Sequence, residues 1–251
     1  MTALEERLEK LEEAIRAACR AAGRARGDVE LMAVSKSFPA ETMAEAAAAG
    51  LRLFGENRVQ EYAAKALALR AAALHAADSR TSAAEQRPRV HLIGHLQSNK
   101  AARAAELFDG VDALDSLRLA ERLNESAAKS GKRLPVLVEV KLSAEETKEG
   151  LEPESAELAA LLERLPDCAH LEMQGLMTIA PWGAPEQVTR ACFRSLRELR
   201  DCWARAHARL RFDVLSMGMS GDFRLAIAEG STRIRTGTAL FGRRGRPALE
   251  E

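Results

Sequence analysis

The sequence predicts an α/β fold, a (β/α)8 TIM barrel, on three observations. Eight short apolar runs of strand length occur along the chain, and each is separated from the next by a longer amphipathic run. Strict alternation requires parallel strands joined by helical crossovers. The length of 251 residues is the usual size of such a barrel. A doubly wound open sheet is the alternative, but it more often has five or six strands.

An extra helix comes before the first strand. Apolar residues recur at three-four spacing from Leu4 to Ile15 between charged residues, which predicts a helix over residues 2–22. Gly23 and Gly27 follow it and end the pattern. We therefore assign residues 1–28 to an N-terminal helical segment of a single domain that spans residues 1–251.

Eight strands and the helices between them follow. The first strand, VELMAVSK at residues 29–36, is apolar and is closed by Pro39. The other predicted strands cover residues 51–57, 89–94, 111–116, 135–141, 170–179, 212–218 and 231–237. The intervening helices are predicted at residues 40–50, 58–77, 98–107, 117–130, 153–164, 185–209 and 221–229.

Two segments fall outside this alternation. Residues 76–88 are polar and rich in alanine, with no periodic apolar positions, which predicts a flexible surface insert without chemistry. Residues 243–251 are predicted to form a solvated tail.

Composition excludes several classes of function. The chain has 37 basic and 37 acidic residues, so it lacks the sustained basic field of a nucleic-acid or membrane-surface protein. No apolar stretch approaches a bilayer span, and the charged N-terminal sequence is unlike a secretory signal, so we expect a cytoplasmic protein. None of its four cysteines forms a C-x-x-C pair or has the spacing of a zinc ligand relative to a histidine, so they indicate no metal motif.

The ends of the strands are where a barrel places its chemistry. Lys36 closes the first strand, where a buried stem would favour a neutral amine able to form a Schiff base. A lysine at a strand end that simply reaches to water is the commoner case. Glycine and hydroxyl residues follow strands 7 and 8, in SMGMSG at residues 216–221 and RTGT at residues 235–238. Such loops suit a phosphate, so an aldehyde cofactor with a phosphate arm, pyridoxal 5′-phosphate, fits the combination.

The motifs AVSKSFP, FGENRVQEY, HLIGHLQSNK, GLMTIAP, LSMGMSGDF and STRIRTGTALFG together resemble the pyridoxal phosphate homeostasis protein family. They run from about residue 31 to residue 242 in the family's order. The family is similar to the barrel domain of alanine racemase, a fold-type III barrel for pyridoxal phosphate, and this supports the predicted fold independently of the strand count.

The resemblance implies a role for eight residues. Lys36 would hold pyridoxal phosphate as a Schiff base, with Asn57 beside the cofactor. Arg235 would contact the pyridine nitrogen, and because an arginine does not protonate that atom, carbanion chemistry would be restrained. The remaining implied contacts are Ser216, Ser220, Gly237 and Thr238 at the phosphate and Met217 along the ring pocket.

The sequence departs from the family at two of these motifs. Phe38 stands where many members have a second lysine, which would weaken a transfer route that uses secondary lysines. Gly221 stands where an acidic residue is common, and the phosphate assignment survives this change because glycine keeps the backbone donors accessible.

Other polar residues are interpreted as structural. His91 and His95 are four residues apart but straddle a strand end, so they do not share the helical geometry of a metal pair. Asp112 and Asp115 have no matched partner for acid–base work. The arginines of residues 190–211 alternate with apolar residues at helical spacing, which indicates a solvated helix face rather than an RNA contact.

The sequence thus predicts a pyridoxal phosphate-binding protein of vitamin B6 homeostasis, with no dedicated turnover and no catalytic or metal-binding residue. Expected partners are pyridoxal phosphate and the apo-enzymes that use it, and a monomer is expected. An amino-acid racemase or decarboxylase of the same barrel type is the alternative, and a barrel for another phosphate ligand is a third. The racemase resembles this chain but takes a tyrosine from a second domain, whereas the only tyrosine here, Tyr62, lies in a predicted helix.

Overall fold

The computed structural model describes residues 2–75, 87–143, 145 and 149–242. Eight parallel strands close into a barrel in chain order, from β1 through β8 and back to β1, which confirms the predicted fold. The strands are β1 Glu30–Val34, β2 Leu53–Glu56, β3 Arg89–Leu92, β4 Gly110–Leu114, β5 Leu134–Glu139, β6 Leu171–Met177, β7 Val214–Ser216 and β8 Arg233–Thr236.

Helices cover the outside of the barrel. In the described residues they are α1 Ala3–Ala21, α2 Ala40–Ala48, α3 Val59–His75, α4 Ala101–Leu107, α5 Leu117–Lys129, α6 Ala156–Arg164, α7 Glu186–Ala206, α8 Phe223–Ala228 and α9 Thr238–Phe241. The extra N-terminal helix is present as α1, and its first turn is closed by a capping box between Thr2 and Glu5.

The hydrophobic core lies mainly between the strands and the helices. Fully buried side chains such as Ile15 on α1, Phe54 on β2 and Phe193 on α7 belong to this outer layer. The barrel interior holds a smaller apolar cluster, Ala113, Leu137 and Met177. Several charged side chains share that interior, and they are described with the site below.

Element ends differ from the predicted ones by a few residues. The first strand ends at Val34 rather than at residue 36, and β7 is confined to Val214–Ser216 instead of residues 212–218. The reason at β7 is Gly218, whose φ of +95° turns the chain out of the strand. The predicted insert at residues 76–88 lies almost wholly outside the described residues, as does the predicted tail at residues 243–251.

Within the described ranges, no helix has both the length and the apolar character needed to cross a bilayer.

Candidate functional site

Lys36 lies in a turn two residues beyond the end of β1, so the prediction that it closes the strand is wrong in detail. The side chain is half-buried, as expected of a residue at the barrel mouth. The next residue, Ser37, has a φ of +64° and is the one non-glycine residue with positive φ in the part of the chain that the structure describes. A non-glycine residue in this region costs free energy and persists only where its surroundings hold it.

A buried polar cluster behind the turn supplies that support. Nζ of Lys65 on α3 donates to the backbone oxygen of Ser35 at 2.9 Å, to Oε1 of Glu56 at 2.7 Å and to Oε1 of Glu61 at 2.8 Å. The Ser35 hydroxyl also donates to Oε1 of Glu56, at 2.7 Å, and the backbone N–H of Ser37 donates to Glu61. Both neighbours of Lys36 are therefore anchored through one lysine and two carboxylates. We call Lys65, Glu56 and Glu61 the turn clamp.

The carboxylates of the turn clamp have opposite pKa shifts. Burial raises the pKa of Glu56, and the hydrogen bonds from Lys65 and Ser35 offset only part of that effect. At Glu61 burial is weaker, and the hydrogen bonds from Lys65 and from the Ser37 backbone lower its pKa. Sequence analysis missed this cluster, although Glu56 belongs to the GEN motif that drew attention to Asn57.

The loop after β7 carries the predicted phosphate contacts. Gly218 turns it sharply, and a Cβ atom there would lie only 2.5 Å from Cβ of Ala226 on α8. The Asp222 carboxylate accepts a hydrogen bond from the backbone N–H of Met219, which fixes the loop in front of α8. Ser220 is half-buried at the tip of this loop.

The loops after β7 and β8 meet. The backbone N–H of Ala239 on α9 donates to the Ser220 hydroxyl at 3.2 Å. Gly237 lies at the start of α9, and a Cβ atom there would approach the backbone oxygen of Val34 at the end of β1 to 3.2 Å. The structure thus places Ser220, Gly237 and the exposed Thr238 together, next to the strand that leads to Lys36.

Arg235 is buried inside the barrel and points across it. Its Nη1 donates to the backbone oxygen and the hydroxyl of Ser216, at 2.7 and 2.8 Å, and its Nη2 donates to the backbone oxygen of Thr178 at 2.8 Å. These hydrogen bonds use Nη1 and Nη2, and none joins Nε to another described residue, so Nε is the guanidinium donor to consider for a ligand. Burial lowers the pKa of Arg235, although Asp112 and Glu139 counteract the effect.

Ser216 and Met217 make contacts in the structure other than those that the resemblance implies. The Ser216 hydroxyl is fully buried and holds Arg235, so its role in the structure is to orient the guanidinium. Met217 is fully buried in the hydrophobic layer between barrel and helices. Consecutive residues at a strand end face opposite sides, and with Ser216 directed inward, Met217 is directed toward the helices.

Asn57 lines a cavity of about 220 Å³ at the barrel mouth, formed by the segments that follow β2, β3, β5 and β6. It is half-buried, and its backbone is packed so closely against Gly94 that a Cβ atom at Gly94 would lie 2.5 Å from the Asn57 oxygen. Asn57 thus borders the mouth at this cavity, while Lys36, Ser220, Gly237 and Thr238 lie on the side of the mouth nearer β1, β7 and β8.

The same cavity contains acidic residues that sequence analysis did not assign. His95, Glu139 and Glu149 line it, and Nδ1 of His95 lies 2.6 Å from Oδ2 of Asp115. Burial, together with the charge of Asp115, raises the pKa of Glu139 to about 7 although Arg235 counteracts it. Burial also raises the pKa of Asp115.

A second charged cluster fills the lower part of the barrel. Nδ1 of His91 lies 2.8 Å from Oδ1 of Asp112, and Nη1 of Arg233 donates to Oδ2 of Asp112 at 3.0 Å. Burial opposes ionisation of Asp112, but His91 and Arg233 outweigh it and lower the pKa to about 2. The Asp112 carboxylate is therefore paired through both oxygens, whereas Nε2 of His91 is buried without a hydrogen-bond partner among the described residues.

The arginine-rich helix is a solvated face over a packed one, as predicted. Three arginines of α7, Arg190, Arg194 and Arg197, pair with Glu229, while Phe193 and Leu196 are buried beneath them.

Comparison with known proteins places these features in context. The family described as alanine racemase, N-terminal domain, matches residues 7–245. A protein of Vibrio cholerae named pyridoxal phosphate homeostasis protein is 40% identical over 250 residues, covering 97% of this chain and 98% of that one. A protein of the same name from Escherichia coli K12 is 39% identical over 246 residues, with 97% and 98% covered.

Solved structures agree with this comparison. The structure of PipY from Synechococcus elongatus with pyridoxal phosphate bound superposes with a TM-score of 0.78 at 40% identity, covering 95% of this chain and all of that one. Alanine racemase from Corynebacterium glutamicum shares the fold at 19% identity, with a TM-score of 0.61, 97% of this chain covered and 63% of that one.

Proposed function

This chain belongs to the family of the alanine racemase N-terminal domain and, within it, to the pyridoxal phosphate homeostasis proteins, and we propose that it binds pyridoxal 5′-phosphate and serves intracellular vitamin B6 homeostasis. The observation that carries this proposal is the arrangement at the barrel mouth. A half-buried Lys36 on a clamped turn adjoins two glycine and hydroxyl loops that meet at Ser220 and Ala239.

The residues present fit this cofactor. When bound, pyridoxal phosphate supplies an aldehyde that condenses with a primary amine, a basic ring nitrogen and a phosphate group. The chain offers an amine at Lys36 and an uncommitted Nε at Arg235. The hydroxyl of Thr236 is buried without a hydrogen-bond partner among the described residues, directly before Gly237. A buried polar atom without a partner is costly unless a ligand or water satisfies it.

Each residue would contribute a distinct interaction. Lys36 would bond to the aldehyde carbon, and the turn clamp would keep its amine at the mouth. Ser220, Gly237 and Thr238 would bind the phosphate. Arg235, oriented by Ser216 and the Thr178 backbone, would donate to the ring nitrogen, and Asn57 would border the ring from the cavity side.

A role without dedicated turnover is part of the proposal. The curated relatives quoted above are named for homeostasis and not for a reaction. Tyr62, the only tyrosine of the chain, is 7% exposed and stacks on Phe108 with ring centroids 4.8 Å apart, inside the helical layer. Tyr62 therefore cannot act as the second base that an amino-acid racemase needs on the other face of the cofactor. We further propose a cytoplasmic monomer that exchanges the cofactor with apo-enzymes.

The test is absorption spectroscopy of the apo-protein titrated with pyridoxal phosphate and with pyridoxal. The wild type should bind one equivalent of pyridoxal phosphate and develop a yellow band, and Lys36→Ala should not. Lys129→Ala, which removes an exposed lysine at the end of α5, is the matched control and should behave as the wild type.

A double variant, Ser220→Ala with Thr238→Val, should weaken pyridoxal phosphate binding while leaving pyridoxal binding unchanged. Absence of the band in the wild type, or its persistence in Lys36→Ala, would refute the proposed site. Racemisation or decarboxylation of free amino acids at rates of about 1 s⁻¹ or more would favour the enzyme alternative. Light scattering tests the monomer.

A further inference from the structure

The turn that carries Lys36 is a β-turn from Ser35 to Phe38. The backbone N–H of Phe38 donates to the backbone oxygen of Ser35 at 3.1 Å and closes the turn. Lys36 is its second residue, and Ser37, with a φ of +64°, is its third, where a type II turn requires a positive φ. The place of the Lys36 amine at the mouth therefore depends on how the two ends of the turn are held.

The two ends are held in different ways. The turn clamp anchors the Ser35 end through hydrogen bonds, whereas an aromatic contact anchors the other end. The ring of Phe38 lies against that of Phe241 on α9, with centroids 5.0 Å apart and planes inclined at 42°. Phe241 is buried in the hydrophobic core, and Phe38 is half-buried at the edge of that core. The Lys36 turn is thus attached to α9 by a side-chain contact.

The helix on which Phe38 rests begins at the proposed phosphate contacts. α9 starts at Thr238, and the backbone N–H of Phe241 donates to the Gly237 oxygen at 2.8 Å. The helix is also held from the outer layer, because Nε of Arg7 on α1 donates to the backbone oxygen of Leu240 at 2.8 Å. The ring of Phe241 and the proposed phosphate contacts therefore belong to one fixed helical turn.

We propose that Phe38 is a positioning residue that gives this site its preference for pyridoxal phosphate over pyridoxal. By resting on Phe241, it keeps the Lys36 amine at a fixed separation from the residues proposed to bind the phosphate. The inference rests on the proposed function, because it concerns the same site. Phe38 itself is assigned no contact with the cofactor.

The preference follows from the way one ligand bridges two elements. Attachment at one end of a ligand favours attachment at the other only when the two binding elements are held at the separation that the ligand spans. Without the aromatic contact, the Lys36 turn and α9 would adopt other separations, and pyridoxal phosphate would bind only the fraction with the right one. Pyridoxal has no phosphate and does not bridge the two elements, so its affinity depends less on their separation.

The test titrates full-length apo-protein with pyridoxal phosphate and, separately, with pyridoxal, and follows the yellow band. The measured quantity is the ratio of the two dissociation constants. Phe38→Ala should lower the preference for pyridoxal phosphate by about 2–12-fold, the factor that an aromatic pair contributes beyond its buried area. Phe38→Tyr keeps the ring and should keep the preference of the wild type.

A matched control separates positioning from stability. Trp203→Ala removes another half-buried aromatic side chain, in a groove between α6 and α7 that contains no proposed cofactor residue. This variant should be less stable than the wild type in urea and should keep its preference. Phe241→Leu removes the other ring of the pair and should lower the preference as Phe38→Ala does. Because both substitutions remove the same contact, the double variant should lose no more than the larger single loss.

Three results would overturn the inference: an unchanged preference in Phe38→Ala, an equal fall in Trp203→Ala, or additive losses in the double variant. Each of them, in a protein whose wild type forms the Lys36 band, leaves the proposed function standing. Absence of that band in the wild type refutes the proposed function and this inference with it. Circular dichroism confirms that every variant compared is folded.

Discussion

Replacing Lys65 by methionine tests whether the turn clamp is what holds the Lys36 turn. The Lys65 side chain is 8% exposed and that of Glu56 is fully buried, so the substitution leaves one carboxylate without its cation in a low-dielectric environment. Removing one partner of a buried ion pair costs about 3–5 kcal/mol. We expect Lys65→Met to lose this much free energy of unfolding at pH 7, and Lys129→Met on the surface to lose less than about 0.5 kcal/mol.

The loss should depend on pH and should be reversible by a second substitution. Burial already raises the pKa of Glu56, and removing Lys65 raises it further. A carboxyl whose pKa is higher in the folded than in the unfolded state lowers the free energy of unfolding as pH rises from the unfolded-state pKa to the folded-state pKa. The stability that Lys65→Met loses should therefore become smaller as pH falls. Adding Glu56→Gln to Lys65→Met should recover most of the deficit.

Urea unfolding at pH 5, pH 7 and pH 8, followed by circular dichroism, measures both effects. The folded variant should also bind pyridoxal phosphate more weakly, because the Ser35 anchor of the turn is lost. The reasoning is refuted if Lys65→Met loses less than about 1 kcal/mol at pH 7, or if the double variant is no more stable than the single one.

Three further substitutions have defined outcomes. Glu139→Gln should raise the free energy of unfolding by up to about 3 kcal/mol at pH 8 and leave it unchanged near pH 4. The reason is that the pKa of Glu139 is raised from 4.5 to about 7, so the stability of the wild type falls as pH rises through that interval. Equal stability of variant and wild type at pH 8 would contradict this. Gly218→Ala should lower the free energy of unfolding in urea by about 2–4 kcal/mol, because the φ of +95° is unfavourable for alanine and the new Cβ would lie 2.5 Å from Cβ of Ala226. A loss under about 1 kcal/mol would show that the loop adjusts. Arg233→Met should cost about 3–5 kcal/mol at pH 7 by leaving Asp112 buried without its cation. The pKa of Asp112 is lowered from 3.8 to about 2 by His91 and Arg233, so its contribution to stability is present above pH 3.8 and is lost as pH falls toward 2. Because His91 remains beside Asp112, an acid titration of Arg233→Met should lack part of that loss.

The barrel was predictable from sequence because its signal is local. The spacing of apolar residues within a short segment distinguishes a strand from a helix. Strands that alternate strictly with helices can form only a few sheet topologies, all of them parallel. The loops at residues 216–221 and 235–238 were likewise recognisable by composition, and the structure brings Ser220, Gly237 and Thr238 together. The ends of the elements were less accurate, since Lys36 lies in a turn and β7 is short.

The polar networks were not predictable, because their members come from distant parts of the chain. Nothing near Lys65 in sequence indicates that its amine reaches the backbone of Ser35, and Glu139 reads as the polar end of an apolar strand. The burial of Met217 in the hydrophobic core was missed for a different reason. The motif that contains it was read as a unit, whereas alternation along the strand end sends Ser216 into the barrel and Met217 toward the helices.

The closure of β1 on β8 has a consequence for synthesis on the ribosome. Glu30 and Arg233 pair across the seam and are 203 residues apart, so the strand before Lys36 emerges long before its neighbour. At about 5–20 residues per second the interval is about 10–40 s. Throughout that time the nascent polypeptide has the amine but neither Arg235 nor the second phosphate loop. If Lys36 holds the cofactor as proposed, an aldehyde would meet only an ordinary lysine during that interval, and capture in the complete site would wait until β8 has paired with β1.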